Sequence, residues 1–428
     1  MHGFGDPAFG ANKSLPVHRW VPWIAGFSSA FAAEAIARRL PGPGVVLDPF
    51  CGVGTTLVEA ARAGHAGVGF EINPWAALAA RTKARAGAVE PERFAREIDR
   101  FRASYAAALA SGAVPRSRPP AGFRTRAAFF SPRVLHKVLV VRDFLAEVSD
   151  PALADLFRVA FGATLVGFSN YSYEPSLGQR KSAGRAGVDD HPVGEAFAAR
   201  LAEMAEDVRA LRGASAGPPA RVVEASFFHS EAHLAPGSVD LVLTSPPYLN
   251  NYHYNRNTRP QLYWLGLVQA PGDLKPLEEA NFGTYWQTAR ERERVDLAFA
   301  LPGSQLPERI ELLRGLNAER GLYGGSGWAN YAAAYFNDCR RFALGLGRAL
   351  RPGGVALVVV GNSILQGVAF ATDRHLAEIA AAAGLEVVGV HVPRATRVGN
   401  SIIQSGVRAA RAGDADQLYE AVVELRRP

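Results

Sequence analysis

Cysteine is nearly absent. The chain of 428 residues holds two, Cys51 and Cys339, far apart and without partners at metal-ligand spacing. That argues against a disulfide framework or a cysteine zinc site, and a reducing cytoplasm is the expected setting. His253, His391 and the other histidines show no paired ligand spacing, so no metal is expected. No apolar run approaches the roughly 18 uninterrupted residues of a membrane span, so no membrane partner is expected. Met1–Leu15 lacks a basic stretch followed by an apolar one, so no signal peptide is expected. Internal repeats and low-complexity tracts are also missing. Acids are outnumbered, 40 against 47 Lys and Arg, for a net charge of +7. Such a balance permits a polyanionic partner without establishing one.

What is present is an alternation of short apolar, β-branched runs with helical patterns. The runs are Val45–Phe50, Gly67–Ile72, Arg221–Phe227, Val239–Thr244, Val355–Gly361, Leu385–Val392 and Glu420–Leu425. They read as strands of a sheet covered on both faces. Helical patterns such as Thr55–Ala63 and Tyr335–Leu350 separate them. The expected fold is α/β, a doubly wound, mostly parallel, seven-stranded sheet. Two intervals interrupt it, with helical patterns at Val134–Val148, Pro151–Phe168 and Val193–Leu211 in the first. They read as inserted, mostly helical regions around the mouth of the sheet. The expected organisation is core at residues 1–85, insertion at 86–220, core at 221–248, a second insertion at 249–330 and core at 331–428.

The segment from Val45 to Ala60 reads strand, glycine turn, helix start. Gly52 and Gly54 let the backbone turn sharply and approach a ligand. Thr55 and Thr56 can cap the helix. Asp48, at the strand end, is placed to receive an ammonium or a hydroxyl. Glu71 ends the next strand, 17 residues after Gly54, where an acid suits a bidentate grip on ribose hydroxyls. A dinucleotide motif would need glycine where Leu57 stands, and a phosphate loop would need Gly-Lys-Ser/Thr. Asp48 would also repel a pyrophosphate. An ordinary tight βα turn is the plain alternative.

Val239–Thr244 runs into Ser245-Pro246-Pro247-Tyr248. An exocyclic base amine is a poor nucleophile because its lone pair is delocalised into the ring. Two hydrogen-bond acceptors on a rigid turn, the Ser245 side chain and the Pro246 carbonyl, would localise that lone pair. Pro246 and Pro247 fix φ and offer no N–H, so the turn presents acceptors with little reorganisation. Tyr248 offers a flat face for an extruded base.

D-P-F-C-G-V-G-T-T-L-V-E-A followed by G-F-E-I-N-P resembles motifs I and II of the DNA amino-methyltransferases. T-S-P-P-Y resembles their motif IV, in the form most typical of the cytosine-N4 enzymes and shared by some adenine-N6 enzymes. The stretch Trp23–Phe31 resembles their motif X. The resemblance implies S-adenosylmethionine as cofactor, held by Phe27, Asp48, Phe50, Gly52, Gly54, Thr55, Glu71 and Asn73. It implies Ser245, Pro246, Pro247 and Tyr248 as the catalytic turn. It favours N4 of cytosine over N6 of adenine and leaves guanine N2 of RNA open. A C5 enzyme would need a cysteine on a Pro-Cys loop, and neither cysteine fits. L-R-P-G-G at Leu350–Gly354 is also common among methyltransferases. One departure stands out. Glu224-Ala225-Ser226 occupies the place where an acid often binds the adenine amine, so the adenine reader stays open.

Beside the catalytic turn, Asn250–Arg259 interleaves amides, aromatics and arginines. Asn251, Tyr252, Tyr254, Arg256 and Arg259 are the candidates for a flipped base and its flanking phosphates. Arg116, Arg118, Arg124, Arg126, Arg133, Lys137 and Arg142, then Arg180, Lys181 and Arg185, are further candidates for phosphate tracking. A solvated charged face is the alternative for each arginine taken singly. Together these features lead to an enzyme methylating a base amine in duplex DNA with the target base flipped. A catalytically silent nucleic-acid-binding protein is the alternative from another class.

Overall fold

The computed structural model describes residues 4–7, 9–23, 26–173, 177–212, 217–218, 220–250, 252–394 and 418–428. Seven strands form one sheet: β1 (Val45–Asp48), β2 (Ala66–Phe70), β3 (Arg221–Val223), β4 (Val239–Thr244), β5 (Leu350–Gly361), β6 (Glu386–Arg394) and β7 (Glu420–Arg426). Their order across the sheet is β6-β7-β5-β4-β1-β2-β3. Pairing from β3 to β5 is parallel, and β7 runs antiparallel to both neighbours. This is the doubly wound, mostly parallel sheet the strand pattern calls for.

Side-chain alternation explains why both faces are covered. Val46, Leu241, Leu243, Leu357, Val359 and Val422 point to one side and pack on Phe31 and Ile36 of α1 (Ser29–Arg39). Leu47, Val242, Val358, Val360 and Val423 point to the other and share a core with Phe336, Phe342 and Leu346. Those three lie on a long helix, Gly325–Ala349. A period of two with both faces apolar is the signature of a sheet between helical layers. Helix α2 (Thr55–Arg62) follows β1 and α3 (Pro74–Ala84) follows β2.

The first insertion contains α4 (Pro91–Ala110), α5 (Pro132–Leu145), α6 (Pro151–Thr164) and α7 (Val193–Leu211). Phe101 stands edge-on to Phe197 at 5.0 Å, and both lie in a core shared with Trp75, Leu78 and Trp264. A cluster that joins the insertion to α3 and to the region after Tyr248 leaves no separate hydrophobic core between them. Pro151–Phe168 is long and apolar enough to cross a membrane by composition alone. Its Leu156, Phe157 and Phe161 are buried in that shared core, as in a core helix. A short ribbon, Tyr171–Tyr173 paired with Leu177–Gln179, projects from the insertion.

Candidate functional site

A crevice opens at the carboxyl ends of β1, β2 and β4, where open α/β sheets bind ligands. It encloses about 700 Å³ including its mouth, and Phe50, Gly52, Glu71, Asn73, Ser245 and Pro247 line it. The glycine turn is built for close approach. Gly52 has φ +48°, and a Cβ there would meet the Trp23 indole nitrogen at 3.0 Å. Gly54 has φ +85°, and a Cβ there would lie 2.9 Å from the backbone of Ala80, so α2 and α3 touch through it.

Asp48 does a different task from the one its strand-end position suggests. Its carboxylate accepts the hydroxyls of Thr56 and Thr244, each at 2.6 Å, and the Phe50 N–H at 3.1 Å. It is buried and absent from the crevice lining. Burial pushes its pKa up to about 6 against those three donors. Asp48 thus ties β1 to β4 and to α2, and it sets the turn rather than facing a ligand. Thr55, buried at the start of α2, is likewise off the wall.

Glu71 stands on the wall, half-buried. It accepts the Asn73 N–H at 2.7 Å and, from the glycine turn, the Gly52 N–H. Burial pushes its pKa up to about 7. Asn73 caps α3 through its Oδ1, which accepts from Trp75 and Ala76 N–H. That orients its amide, so Nδ2 donates to Asn255 Oδ1 at 3.1 Å and to Thr258 Oγ1 at 2.8 Å. Asn255 must therefore present its own Nδ2, which is buried on the crevice wall without a partner. An orphaned donor beside Glu71 suits a ligand oxygen.

Aromatic rings close the far side. Phe50 packs edge-on against Phe282 at 5.3 Å, and Phe228 stacks on Phe282 at 5.9 Å. Asn281 joins them on the wall, along with Ala225 and Ser226. Residues 281–282 lie more than 200 positions from the glycine turn, and no local motif marks them. Phe27 does not reach the crevice: it packs edge-on against Phe31 at 5.8 Å in the core under α1. Trp23, four residues earlier, lines the crevice instead.

The Ser245-Pro246-Pro247-Tyr248 turn follows β4. Ser245 and Pro247 face the crevice, while Pro246 is buried. The Pro247 carbonyl accepts the Tyr335 hydroxyl at 3.0 Å, which pins the turn to the long helix. Ser245 Oγ donates to the Tyr248 oxygen at 3.5 Å, and Tyr248 donates to Glu420 Oε1 at 3.1 Å. The Tyr248 ring lies over Gly361, where a Cβ would come within 3.1 Å of it. Burial and the Glu420 carboxylate push the Tyr248 pKa well up, so its hydroxyl keeps its proton.

The segment after the turn is a helix, α8 (Tyr254–Trp264), although it begins among asparagines and contains Pro260. Helical periodicity sorts the candidates there. Tyr254, Asn257, Thr258 and Gln261 share one face and line a second, larger groove, joined by Tyr252. Arg256 and Arg259 point elsewhere and line neither cavity, and the Arg259 guanidinium lies 5.9 Å from the Tyr263 ring. Asn251 falls outside the described residues. Trp23 and Tyr254 stack at 6.4 Å and form a partition between crevice and groove, since both line both cavities. Several of the basic residues in the first insertion are engaged internally. Lys137 pairs with Asp190, Arg116 with Glu147, and Arg142 donates to the Arg118 carbonyl.

No family model matches the chain. Among curated proteins it is similar to the type II methyltransferase M.BsoBI of Geobacillus stearothermophilus. The two are 22% identical over 442 residues, spanning 93% of this chain and 84% of that protein. Among solved structures, TrmN from Thermus thermophilus matches at a TM-score of 0.29 and 12% identity, over 94% of this chain and 49% of that one. The rRNA methyltransferase aviRa from Streptomyces viridochromogenes matches at 0.30 and 12%, over 98% and 92%.

Proposed function

We propose that this chain, whose sheet is that of the α/β methyltransferases, moves a methyl group from S-adenosylmethionine to an exocyclic amine of a DNA base, N4 of cytosine first. The observation that carries the reading is the crevice itself. It brings Glu71 and the Gly52 turn into one cavity with Ser245 and Pro247. The residues present fit the cofactor. Glu71 can accept ribose hydroxyls, and the unpaired Asn255 amide can donate to an oxygen there. The Phe50, Phe228 and Phe282 rings make that side of the wall apolar, as suits a purine, with Asn281 beside them. When bound, S-adenosylmethionine supplies an electrophilic methyl group.

The chain's own part is to ready the amine. Ser245 lines the crevice, and with its proton given to Tyr248 its oxygen is free to accept an amine N–H. The Tyr335 hydroxyl holds the proline turn, so that acceptor needs no reorganisation. Tyr248 is held from its far end by Glu420, and its ring lies over Gly361, off the crevice lining. Adenine N6 and guanine N2 of RNA present the same amine chemistry and are the alternatives. Similarity over 93% of the chain to a protein named as a type II methyltransferase favours a DNA substrate. The serine form of the catalytic turn favours cytosine.

The test is to incubate the purified chain with isotopically labelled S-adenosylmethionine and, in parallel, unmethylated bacterial DNA or bacterial RNA, then to analyse the nucleosides by mass spectrometry. Labelled N4-methylcytosine is the expected product. Labelled N6-methyladenine would move the base assignment. Label in RNA alone, or in neither nucleic acid, would overturn the proposal.

A further inference from the structure

The second groove lies across the Trp23–Tyr254 partition from Ser245, and the chemistry above does not use it. It encloses about 1650 Å³ including its mouth. Its floor is rigid for reasons that can be traced. Gly162 lets the Trp75 indole lie against α6, since a Cβ there would fall 2.4 Å from the ring. The Gly162 carbonyl then accepts Gln261 Nε2 at 3.2 Å. Tyr173 of the ribbon accepts from the same Nε2 at 3.2 Å and donates to the Asn257 carbonyl at 3.0 Å. Asn257 completes the latch, accepting Leu177 N–H at 3.0 Å and donating to Tyr252 at 2.6 Å.

Those contacts fix the orientation of the Gln261 amide. A carbonyl can only accept, so the nitrogen must face Gly162 and Oε1 must face away from it. Gln261 is 6% exposed, and its Oε1 has no hydrogen-bond partner. The groove therefore holds an unsatisfied acceptor, which calls for a ligand N–H. Its walls supply aromatic faces from Tyr173, Tyr252 and Tyr254, and its rim carries Lys13, Arg180 and Arg185. Aromatic faces, cations and one acceptor match an unpaired nucleotide: ring faces for its base, cations for its phosphate and an oxygen for an amine.

We infer that this groove binds an unpaired nucleotide of the substrate strand next to the target base, and that Gln261 selects a base bearing an exocyclic amine. The inference rests on the nucleic-acid reading above. The partition places this nucleotide beside the methylated one, not in its stead. The groove thus provides sequence preference at a flanking position.

Two glycines on its walls make the test clean. A Cβ at Gly10 or at Gly167 meets nothing within 4 Å, so a larger side chain has open space at its root. Binding of fluorescent oligo-dC, oligo-dA and oligo-dT would be measured for the chain and for Gly167→Phe, Gly10→Phe and Gln261→Met. Calorimetry with S-adenosylmethionine would monitor the intact crevice. The chain should bind oligo-dC and oligo-dA about tenfold more tightly than oligo-dT, the scale of one hydrogen bond to a buried acceptor. Either phenylalanine should weaken all three about tenfold with cofactor affinity unchanged, while Gln261→Met should erase the preference alone. Equal binding of the three oligonucleotides by the chain would overturn the inference. So would a preference that survives Gly167→Phe and Gly10→Phe undiminished. Because the readout is binding, a chain that shows the preference but transfers no methyl group overturns the function proposed above and leaves the groove assigned.

Discussion

Glu71 makes a prediction that can be worked through to a number. Its carboxyl is pushed up to about 7 by burial, so near neutrality it is about half protonated before the cofactor binds. Two ribose hydroxyls donating to the carboxylate favour its charged form. Binding should therefore return the pKa to the ordinary carboxylate value or lower, and a proton should leave as the cofactor enters. Affinity then rises with pH up to about 7 and levels off above it. With a bound value near 4.5, the apparent affinity should fall roughly 50- to 100-fold from pH 8 to pH 5, or about 2–3 kcal/mol. The cofactor's own amine titrates in part of this range, and so does Asp48. Glu71→Gln keeps both, so subtracting its profile isolates Glu71. The assay is isothermal calorimetry with S-adenosylmethionine at several pH values in two buffers of different ionisation heat. The variant should bind about 1–3 kcal/mol more weakly at pH 8 and lack the Glu71-linked slope. Equal slopes for the two proteins would refute the reasoning and remove Glu71 from the ribose.

Gly54→Ala should cost about 2–4 kcal/mol of stability by chemical denaturation, because its φ is positive and its Cβ would meet Ala80 at 2.9 Å. Lys83 is buried, and its pKa is pushed down to about 7. Between that value and 10.5 the unfolded chain holds a proton the folded chain releases, so stability climbs with pH there. Lys83→Met should remove that climb and stabilise the fold at pH 6 by on the order of a few kcal/mol, read from denaturation midpoints. Tyr248→Phe keeps the ring face and should still reduce turnover, because it deletes the hydroxyl between Ser245 and Glu420. Steady-state kinetics should show the loss in kcat, with KM for DNA nearly unchanged.

All seven strands were legible because a sheet buried on both faces needs uninterrupted β-branched runs. Their ends were less so. The third strand stops at Val223, short of Phe227, because Ser226 caps a short helical turn at Phe227–Ala232. The fifth begins at Leu350, taking in the Pro-Gly-Gly turn. Glu71, Gly52 and Ser245 were legible because each sits at a strand end in a local motif, and strand ends converge on one crevice. Asp48 shares that position, but two threonine hydroxyls claim its carboxylate, and Thr244 is 196 positions away. Trp23, Phe282 and Asn281 reach the wall through tertiary packing that no spacing rule reports. Helix α8 was hidden by its asparagines and by Pro260, residues of poor helix propensity. Its stability comes instead from Asn73 and from burial of Leu262, Tyr263 and Trp264.

The central claim is that the Ser245 turn activates a base amine held in the crevice. Single-turnover methylation of DNA by the chain and by Ser245→Ala tests it most directly, with cofactor and DNA binding measured separately. The account predicts that the variant binds both nearly as well as the parent and methylates about 100-fold more slowly or worse, the scale of losing one preorganised transition-state contact. Methylation by Ser245→Ala at the parent's rate would contradict it.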